Sequence, residues 1–418
     1  MPVLAHIGLL ATCAAPGGQG EVHPIPDAAV AFTEGVIRWV GPERALPPGW
    51  SREERWDAGG RLVIPGLVDC HTHVLFGGWR AGEFERRLRG ESYQEIARAG
   101  GGIAATVAST AALPDDALVA RALGFLGEMA RLGVTTVEAK SGYGLELEAE
   151  LRLLRLQRRL AADAPVRIVS TLLAHVVPPA WRDRRAEHVA RFADELVPRV
   201  AREGLASACD VYVDEGAFSP DEARRILRAA RAAGLSLKLH ADQHRDGGGA
   251  ALAAELGCAS ADHLEHVSDV GVAALARAGT VAVTLPLAAL YLGAPPAPAR
   301  RLVDAGVPVA IATDFNPGSA PSPHLPLALL LACTQGRITP AEALKGATRC
   351  AASALGLEAV AGSVEPGRSA DLAVLDAASP LEWLYHFRPN DCVLTIAGGR
   401  VTWRRGAADA PGRPEVLP

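Results

Sequence analysis

A regular alternation of short β-like runs and longer helical runs, from about residue 62 to residue 356, constrains the fold of this chain most strongly. The β-like runs lie at 63–70, 133–140, 166–174, 209–214, 235–241, 259–263, 280–285 and 307–313. Strands that alternate with helices are typical of βαβ units and of a parallel sheet. Eight such units over about 290 residues predict an α/β fold of the (β/α)8 or TIM-like barrel type.

A doubly wound open sheet is the competing architecture for this pattern. Such sheets usually carry a glycine-rich phosphate-binding turn after an early strand, and the sequence shows none there. The helical run at 145–162 places Leu147, Leu151 and Leu154 on one face, with charged side chains turned away. An apolar stripe of this kind predicts a helix that packs against a sheet, so the barrel is the expected fold.

The two ends of the chain depart from the barrel pattern. Short strands are predicted at 3–9, 28–32, 36–40 and 61–64, and again at 370–376, 392–397 and 399–403. We therefore expect residues 1–63 and 362–418 to form together one small β-sandwich domain, beside a barrel at 64–361. The proline-rich stretch 293–298 is predicted to be a loop after the seventh barrel strand, because the barrel pattern resumes after it.

Composition and charge argue against several classes of partner. The chain is 49% hydrophobic and 21% charged, which is an ordinary globular composition. A net charge of −5 disfavours binding to phosphate backbones, so no nucleic-acid partner is expected. No uncharged apolar stretch reaches the roughly 18 residues that cross a bilayer, and we expect no membrane partner. Seven scattered cysteines without a CxxC pair favour a reducing cytoplasm over a disulfide framework.

The strongest local signal is the stretch PGLVDCHTH, which ends in His71 and His73. Residues two apart at the end of a strand point to the same side, so both imidazoles can face one ion. His240, His263 and Asp314 fall at the ends of three further predicted strands, where TIM-barrel enzymes place their chemistry. Three imidazoles and one carboxylate suit Zn²⁺ or Fe²⁺ and leave a coordination position for water.

These residues, together with the tail GSVEPGRSADL, resemble the amidohydrolase superfamily of metal-dependent barrel hydrolases. More narrowly, the chain resembles the imidazolonepropionase family, and the resemblance covers essentially its whole length. The matching stretches are FGGWR at 76–80, EFERRL at 83–88, GGGI at 100–103, KSGYGL at 140–145, AH at 174–175, residues 210–218, HADQ at 240–243 and TDFNPGS at 313–319. The His-x-His pair is common to the superfamily, whereas SGYG, TDFNPG and FGG-x-R are much more specific.

The resemblance implies hydrolysis of the ring C–N bond of 4-imidazolone-5-propanoate to N-formimino-L-glutamate in histidine degradation. It implies one zinc or iron ion (Zn²⁺, Fe²⁺ or Fe³⁺) per chain, with the ligands His71, His73, His240 and Asp314. It also implies substrate contacts at Arg80, Tyr143, His175, Gln243, Asn316, Gly318 and Ser319. The expected partner is this small-molecule substrate, and a homodimer is one candidate assembly.

These residue types suit the implied chemistry. Arg80 offers a planar fork for the propionate carboxylate. A metal ion can polarise the ring carbonyl while it activates a water, and Asp314 can accept the proton of that water. The adjacent cation should depress the pKa of Asp314. We expect His263 to lie close to the metal but not on it and to stabilise the developing negative charge.

Several assignments stay open at this stage. Arg80 could be one of many surface arginines, and Tyr143 could be an aromatic side chain that only packs a lid. In two-metal relatives a lysine on a central strand is carboxylated and bridges the ions, and Lys140 could play that part. Because four ligands are already present, we favour one metal. His244 and His266 follow predicted site residues closely and are left unassigned.

Two other functions are the alternatives. Metal-dependent deaminases of this superfamily carry a glutamate three residues after the histidine of the fifth strand, and it shuttles protons to the leaving amine. This chain has Gln243 there, and an amide cannot carry that proton. A non-catalytic binding barrel would be expected to lack metal ligands, and all four are present here.

Overall fold

The computed structural model describes residues 2–50, 52–91, 95–96 and 99–406. The strands of this part are β1 (Val3–Ala11), β2 (Pro24–Thr33), β3 (Val36–Pro42), β4 (Arg55–Asp57), β5 (Leu62–Pro65), β6 (Leu67–Asp69), β7 (Val134–Lys140), β8 (Arg167–Ala174), β9 (Ala208–Tyr212), β10 (Ser236–Ala241), β11 (Ser260–His263), β12 (Val281–Thr284), β13 (Val309–Ile311), β14 (Leu372–Leu375), β15 (Cys392–Ala397) and β16 (Arg400–Arg404). They form two eight-stranded sheets.

The α-helices of the described residues are Ala81–Leu88, Ile103–Ala112, Asp115–Arg131, Leu147–Asp163, Arg185–Arg191, Val197–Glu203, Pro220–Ala232, Gly249–Glu255, Asp269–Ala278, Pro286–Leu292, Ala299–Asp304, Leu325–Thr334, Pro340–Lys345, Ala351–Ala354 and Pro380–Tyr385. Short 3₁₀ segments lie at Glu43–Ala45, Pro48–Trp50 and Pro179–Arg184, and π-helical segments lie at Phe192–Leu196 and Gly346–Cys350. Most of these helices connect strands of the larger sheet.

The larger sheet is a parallel barrel. Its strands follow one another in sequence order from β6 to β13. The two end strands meet just beyond their carboxyl ends, where Asp314 N donates to His71 O at 3.0 Å and His73 N donates to Phe315 O at 2.8 Å. All eight predicted runs therefore contribute to the barrel, and the predicted (β/α)8 architecture is confirmed.

The helices cover the barrel as the apolar pattern predicts. In the helix Leu147–Asp163, Leu151 and Leu154 are buried and Glu148 is exposed. The proline-rich stretch 293–298 does not follow the seventh strand directly, because the helix Pro286–Leu292 lies between them. Among the described residues no single helix meets the length and apolarity of a membrane span, although Ile103–Ala112 and Asp115–Arg131 meet them as a pair bent by 119°.

The first predicted barrel strand, 63–70, is two strands in two different sheets. β5 pairs with β1 and β14, whereas β6 pairs with β7 in the barrel. The chain changes sheet at Gly66, where an added Cβ would lie 2.2 Å from Thr135 Oγ1. A side chain at this position would clash with the neighbouring strand, so a glycine is needed for the change.

The other sheet joins both ends of the chain, as predicted, in the order β16-β15-β14-β5-β1-β2-β3. It curls around an apolar core of its own, in which the rings of Phe32 and Trp56 meet edge to face at 5.5 Å. Ile37 N donates to Arg368 O at 2.8 Å and ties the β3 edge back to the C-terminal segment. The short strand β4, which pairs with β1, was not predicted because two of its three residues are charged.

Candidate active site

Four predicted ligands converge at the carboxyl ends of the barrel strands. His71 and His73 follow β6, His240 lies in β10 and Asp314 follows β13, and all four are buried. Ligand atoms of His71, His73 and His240 lie within 4.8 Å of one another. Asp314 Oδ1 lies 3.5 Å from His71 Nε2 and 3.4 Å from His73 Nε2.

These separations fit one metal ion. Zinc–nitrogen and zinc–oxygen bonds of about 2.0–2.2 Å in a tetrahedron place neighbouring ligand atoms about 3.4 Å apart. The buried His71 Nε2 has no hydrogen-bond partner within the described part of the chain. A buried acceptor without a partner is costly unless something else satisfies it, and a metal ion would do so.

Buried carboxylates orient two of these imidazoles. His71 Nδ1 lies 2.6 Å from Asp262 Oδ2, and His240 Nδ1 lies 3.0 Å from Asp210 Oδ2. The His71–Asp262 pair is a hydrogen bond of the kind by which metal-binding histidines commonly donate their second ring N–H to a carboxylate, which fixes the tautomer and leaves Nε2 for the metal. The His240–Asp210 pair is a close polar contact on the same side of the ring. Burial also lowers the pKa of His71 well below its usual value and lowers the pKa of His240. Both imidazoles therefore favour the neutral form that binds metals.

Asp314 and His263 adopt strained backbone conformations at the barrel mouth. Their φ angles are 55° and 81°, in a region that residues other than glycine rarely adopt. Thr313, next to Asp314, is fixed by Asp69, which accepts its N–H at 3.0 Å and its hydroxyl at 2.6 Å. Burial raises the pKa of Asp314, but the hydrogen bond from His73 and the nearby charge of His263 lower that pKa by more. Asp314 is accordingly an ionised carboxylate.

His263 lies against the ligand cluster. Its ring centroid is 5.7 Å from that of His71 and 5.4 Å from that of His240, and its ligand atom belongs to a second close group with His71 and Asp314. His263 Nδ1 lies 3.4 Å from Glu265 Oε1. Burial lowers the pKa of His263, but the charge and hydrogen bond of Glu265, together with the charges of Asp314 and Asp262, raise that pKa by more. The expected place of His263 beside the metal, and not on it, stays a prediction.

Three buried carboxylates surround the ammonium group of Lys140 beneath the metal ligands. Its Nζ lies 2.7 Å from Asp210 Oδ2, 3.0 Å from Glu138 Oε2 and 3.4 Å from Asp262 Oδ2. Burial lowers the pKa of Lys140, but these three carboxylates raise it well above its usual value. A lysine must lose its proton before it can be carboxylated, so this environment disfavours the bridging role that was the alternative for Lys140.

Arg80 and Gly318 form a second part of the site. The Arg80 side chain is 11% exposed, and Glu83 Oε2 lies 3.8 Å from its Nε. Two guanidinium nitrogens, Nε and Nη1, are buried and have no hydrogen-bond partner among the residues that the structure describes. A Cβ on Gly318 would lie 1.1 Å from Arg80 Nη2, so this glycine leaves the space that the guanidinium fills. Arg80 is therefore not an ordinary surface arginine.

The loop around Gly318 is shaped by Asn316. Its Oδ1 accepts the N–H groups of Gly318 and Ser319, both at 2.8 Å. Its Nδ2 donates to Asp314 O at 2.7 Å and to Ser319 Oγ at 2.9 Å. These bonds hold the loop that carries Asp314 at one end and Gly318 near the other, so the metal ligand and the Arg80 contact are positioned together.

The rings of Tyr143 and His175 lie beside the ligand cluster. The Tyr143 ring lies 5.9 Å from that of His73, and the His175 ring stacks on His73 at 5.8 Å. His175 Nδ1 lies 3.0 Å from Gly142 O, and burial together with the charges of His73 and His240 lowers the pKa of His175 to about 3. Tyr143 thus lies next to the ligands and not only against a lid. Gln243 follows β10 and is half-buried.

Of the charged residues beneath the ligands, only Lys140 was considered for the site from the sequence, as a possible bridge between two metals. Asp210 and Asp262 orient imidazoles, and Glu138, Lys140 and Lys238 surround them in the barrel interior. Their signal was present in the sequence as charged residues inside predicted barrel strands, such as Glu138 and Lys140 in VTTVEAK and Lys238 in SLKLHA. A charge in a strand that is covered on both sides is costly without a partner, so each one predicts a buried counter-ion.

Comparisons with known proteins agree with this geometry. The amidohydrolase family model matches residues 62–402. An imidazolonepropionase from Geobacillus thermodenitrificans is 45% identical over 93% of both chains. Those from Anaeromyxobacter dehalogenans and Myxococcus xanthus are each 48% identical, over 94% and 93% of both chains respectively.

Solved structures show the same fold at much lower identity. A 5-methylcytosine deaminase from Klebsiella pneumoniae superposes with a TM-score of 0.73 at 17% identity, over 99% of this chain and 100% of that one. An atrazine chlorohydrolase from Arthrobacter aurescens, solved with zinc, gives a TM-score of 0.69 at 18% identity over 96% and 95%. The family match and the full-length relatives show that this chain belongs to the metal-dependent amidohydrolase family and, within it, to the imidazolonepropionases.

Proposed function

We propose that the chain hydrolyses the ring C–N bond of 4-imidazolone-5-propanoate to N-formimino-L-glutamate, with one zinc or iron ion per chain. The observation that carries this proposal is Arg80. Its buried guanidinium has two nitrogens without partners among the described residues, on the loop next to a set of metal ligands. Glu83 Oε2 lies 3.8 Å from Nε, too far for a hydrogen bond, and buried donors without hydrogen bonds are costly, so the propionate of this substrate suits them as an acceptor.

The metal ligands in this proposal are His71, His73, His240 and Asp314. Their spacing and the carboxylates behind His71 and His240 support the assignment. When bound, zinc or iron supplies Lewis acidity, which polarises the ring carbonyl and makes a water nucleophilic near neutral pH. Oxygen and imidazole ligands suit either metal.

Substrate binding begins at Arg80. Among the described residues, Nε and Nη1 each have a free donor, and a guanidinium binds a carboxylate in a charge-assisted bidentate pair through one edge, with Nη2 and either of these two nitrogens donating. His175 can accept a hydrogen bond from the substrate. Its Nδ1 lies 3.0 Å from Gly142 O, and because a carbonyl oxygen only accepts, Nδ1 carries the proton and donates it. Nε2 of the neutral ring is then free to accept a hydrogen bond from a ring N–H of the substrate. We assign the remaining lining of the pocket to Tyr143, Gln243, Asn316, Gly318 and Ser319.

Asp314 and His263 move and stabilise charge in the proposed reaction. The ionised Asp314 accepts the proton of the attacking water as the new C–O bond forms at the ring carbonyl carbon. His263 donates a hydrogen bond to the developing oxyanion. Asp314 then passes its proton to the ring nitrogen as the C–N bond breaks, because an amide-like nitrogen leaves poorly without protonation. The net change is the addition of one water across the C–N bond.

Deamination is disfavoured by Gln243. A deaminase must transfer a proton to a leaving amine, and the amide of Gln243 cannot carry one. The two reactions also give different products, because deamination releases ammonia while ring opening retains both nitrogens. Product analysis therefore separates them directly.

The test is turnover of imidazolone propionate by the purified, metal-loaded protein. Ultraviolet absorbance follows the loss of the ring, and mass spectrometry identifies the product. We expect absorbance to fall and the product to be N-formimino-L-glutamate, which is one water heavier than the substrate. An unchanged spectrum, or release of ammonia, would overturn the proposal. An Arg80→Ala variant should react more slowly in the same assay.

A further inference from the structure

A cluster of five charged side chains lies in the barrel interior beneath the metal ligands, and only its two aspartates have been given a role so far, as the carboxylates behind two imidazoles. Its members are Glu138, Lys140, Asp210, Lys238 and Asp262. All five side chains are at most 1% exposed. Buried charges are costly unless they are paired, so the way in which these five charges are paired requires a physical explanation.

Two members of the cluster, Asp262 and Asp210, contact the imidazoles of metal ligands. Asp262 Oδ2 lies 2.6 Å from His71 Nδ1, and Asp210 Oδ2 lies 3.0 Å from His240 Nδ1. The two histidines come from β10 and from the segment after β6, which are not neighbours in the barrel. Something must therefore fix the two carboxylates relative to each other if both imidazoles are to face one point.

Lys140 makes that connection. Its Nζ lies 2.7 Å from Asp210 Oδ2 and 3.4 Å from Asp262 Oδ2. These are the same two oxygen atoms that contact the imidazoles, so each oxygen lies between the ammonium and a ring nitrogen. Without the ammonium, two buried carboxylates would repel each other in a medium of low dielectric constant. They could then separate or take up a proton, and either change would release the imidazoles.

We propose that Lys140 is a positioning residue for the metal site: by holding Asp210 and Asp262 it fixes the imidazoles of His240 and His71 with both Nε2 atoms facing the metal position. The inference rests on the metal site of the proposed function but not on the identity of the substrate. It assigns Lys140 an ionic role in which a carboxylate and an imidazole lie between its ammonium and the metal.

Lys238 provides a matched control. It is buried like Lys140 and belongs to the same cluster, but its Nζ contacts Glu138 Oε2 at 2.9 Å and Cys70 O at 3.1 Å. Its distance to Asp262 Oδ2 is 3.9 Å. Replacing either lysine removes one buried ammonium from the cluster, so both variants lose stability for the same reason. The proposal predicts that only one of them loses metal-site geometry.

The experiment measures metal binding to the wild type, Lys140→Met and Lys238→Met after the metal has been removed. Zn²⁺ affinity is obtained by competition with a chromophoric chelator, and ligand geometry is followed by the visible spectrum of bound Co²⁺. Urea unfolding of each metal-free protein reports the loss of stability separately. We expect Lys140→Met to bind Zn²⁺ about 10-fold to 100-fold more weakly than the wild type, the usual range for a residue behind a ligand. Its Co²⁺ spectrum should also change, while Lys238→Met stays close to the wild type in both measurements.

Equal affinities in all three proteins would overturn the inference, and so would an equal loss in both variants, because Lys140 would then contribute only to folding. If Lys140→Met does not fold, Lys140→Gln keeps a polar end for Asp210 without the charge, and wild-type affinity in that variant would also refute the proposal. A wild-type protein that binds no Zn²⁺ would instead contradict the metal site of the proposed function, so the two failures are distinguishable.

Discussion

Replacing Gly318 with alanine should disable Arg80 without changing Arg80 itself. The new Cβ would lie 1.1 Å from Arg80 Nη2, 2.0 Å from Cζ and 2.4 Å from Nε. The φ angle of Gly318 is not among the positive values of this chain, so alanine causes no backbone strain there. The guanidinium must therefore move away from its buried position, and the effect of the substitution is the loss of that position.

The size of the effect follows from the contacts that Arg80 can make. Two hydrogen bonds from a charged group to the propionate, lost from a partly buried pocket, should cost roughly 2–4 kcal/mol in kcat/KM. At about 1.4 kcal/mol for each tenfold change, this corresponds to a loss of about 30-fold to 1000-fold for Arg80→Ala. Gly318→Ala should approach that loss and not exceed it, since it acts by displacing the same side chain.

A double-mutant cycle tests this reasoning. The values of kcat/KM for imidazolone propionate are measured for the wild type, the two single variants and the double variant. If Gly318→Ala acts through Arg80, the double variant should be no slower than Arg80→Ala, and the two effects should be strongly non-additive. Additive losses would show that Gly318 acts independently of Arg80. Wild-type kinetics in Gly318→Ala would show that the guanidinium position does not matter.

Two further predictions concern histidines of the site. His263→Asn should keep its metal, by elemental analysis, and lose about 10²–10³ in kcat, the scale of one oxyanion donor; loss of the metal would make His263 a ligand, and full activity would make it only structural. The pKa of His175 is about 3 in the folded protein, against 6.5 for the free side chain, so the unfolded chain binds more protons and the free energy of unfolding should fall as pH falls from about 6.5 toward 3. Urea unfolding of the metal-free His175→Asn variant should show a shallower pH dependence over this window, and an unchanged slope would contradict the assignment.

The barrel could be predicted because its strands and helices have different apolar periods and occur in regular order. The strand ends could also be predicted, and with them the convergence of His71, His73, His240 and Asp314. The change from the small sheet to the barrel was predicted at residues 63–64, slightly before Gly66, because the apolar run continues through it without a break. The close approach of Thr135, which excludes a side chain at residue 66, is remote in sequence, and no local pattern contains that information.

The site was predicted less completely than the fold for the same reason. Residue types at strand ends indicate ligands, but the contacts that orient them come from other strands, as with Asp262 and His71. The lack of hydrogen bonds from Arg80 Nε and Nη1 to the described residues, and the fit of Gly318 against the guanidinium, are three-dimensional facts. Asn316, expected from the resemblance to contact substrate, also holds its own loop through side-chain hydrogen bonds to Asp314, Gly318 and Ser319.

The most direct test of the account is a metal titration that follows the reaction itself. Protein stripped of metal by a chelator receives Zn²⁺ in steps, while the ultraviolet absorbance of imidazolone propionate reports the rate of ring opening. The account predicts no turnover without metal and a rate that rises to a plateau at about one equivalent per chain, with His71→Ala inactive throughout. Full turnover by the metal-free protein, or a plateau at about two equivalents, would contradict a single-metal hydrolase.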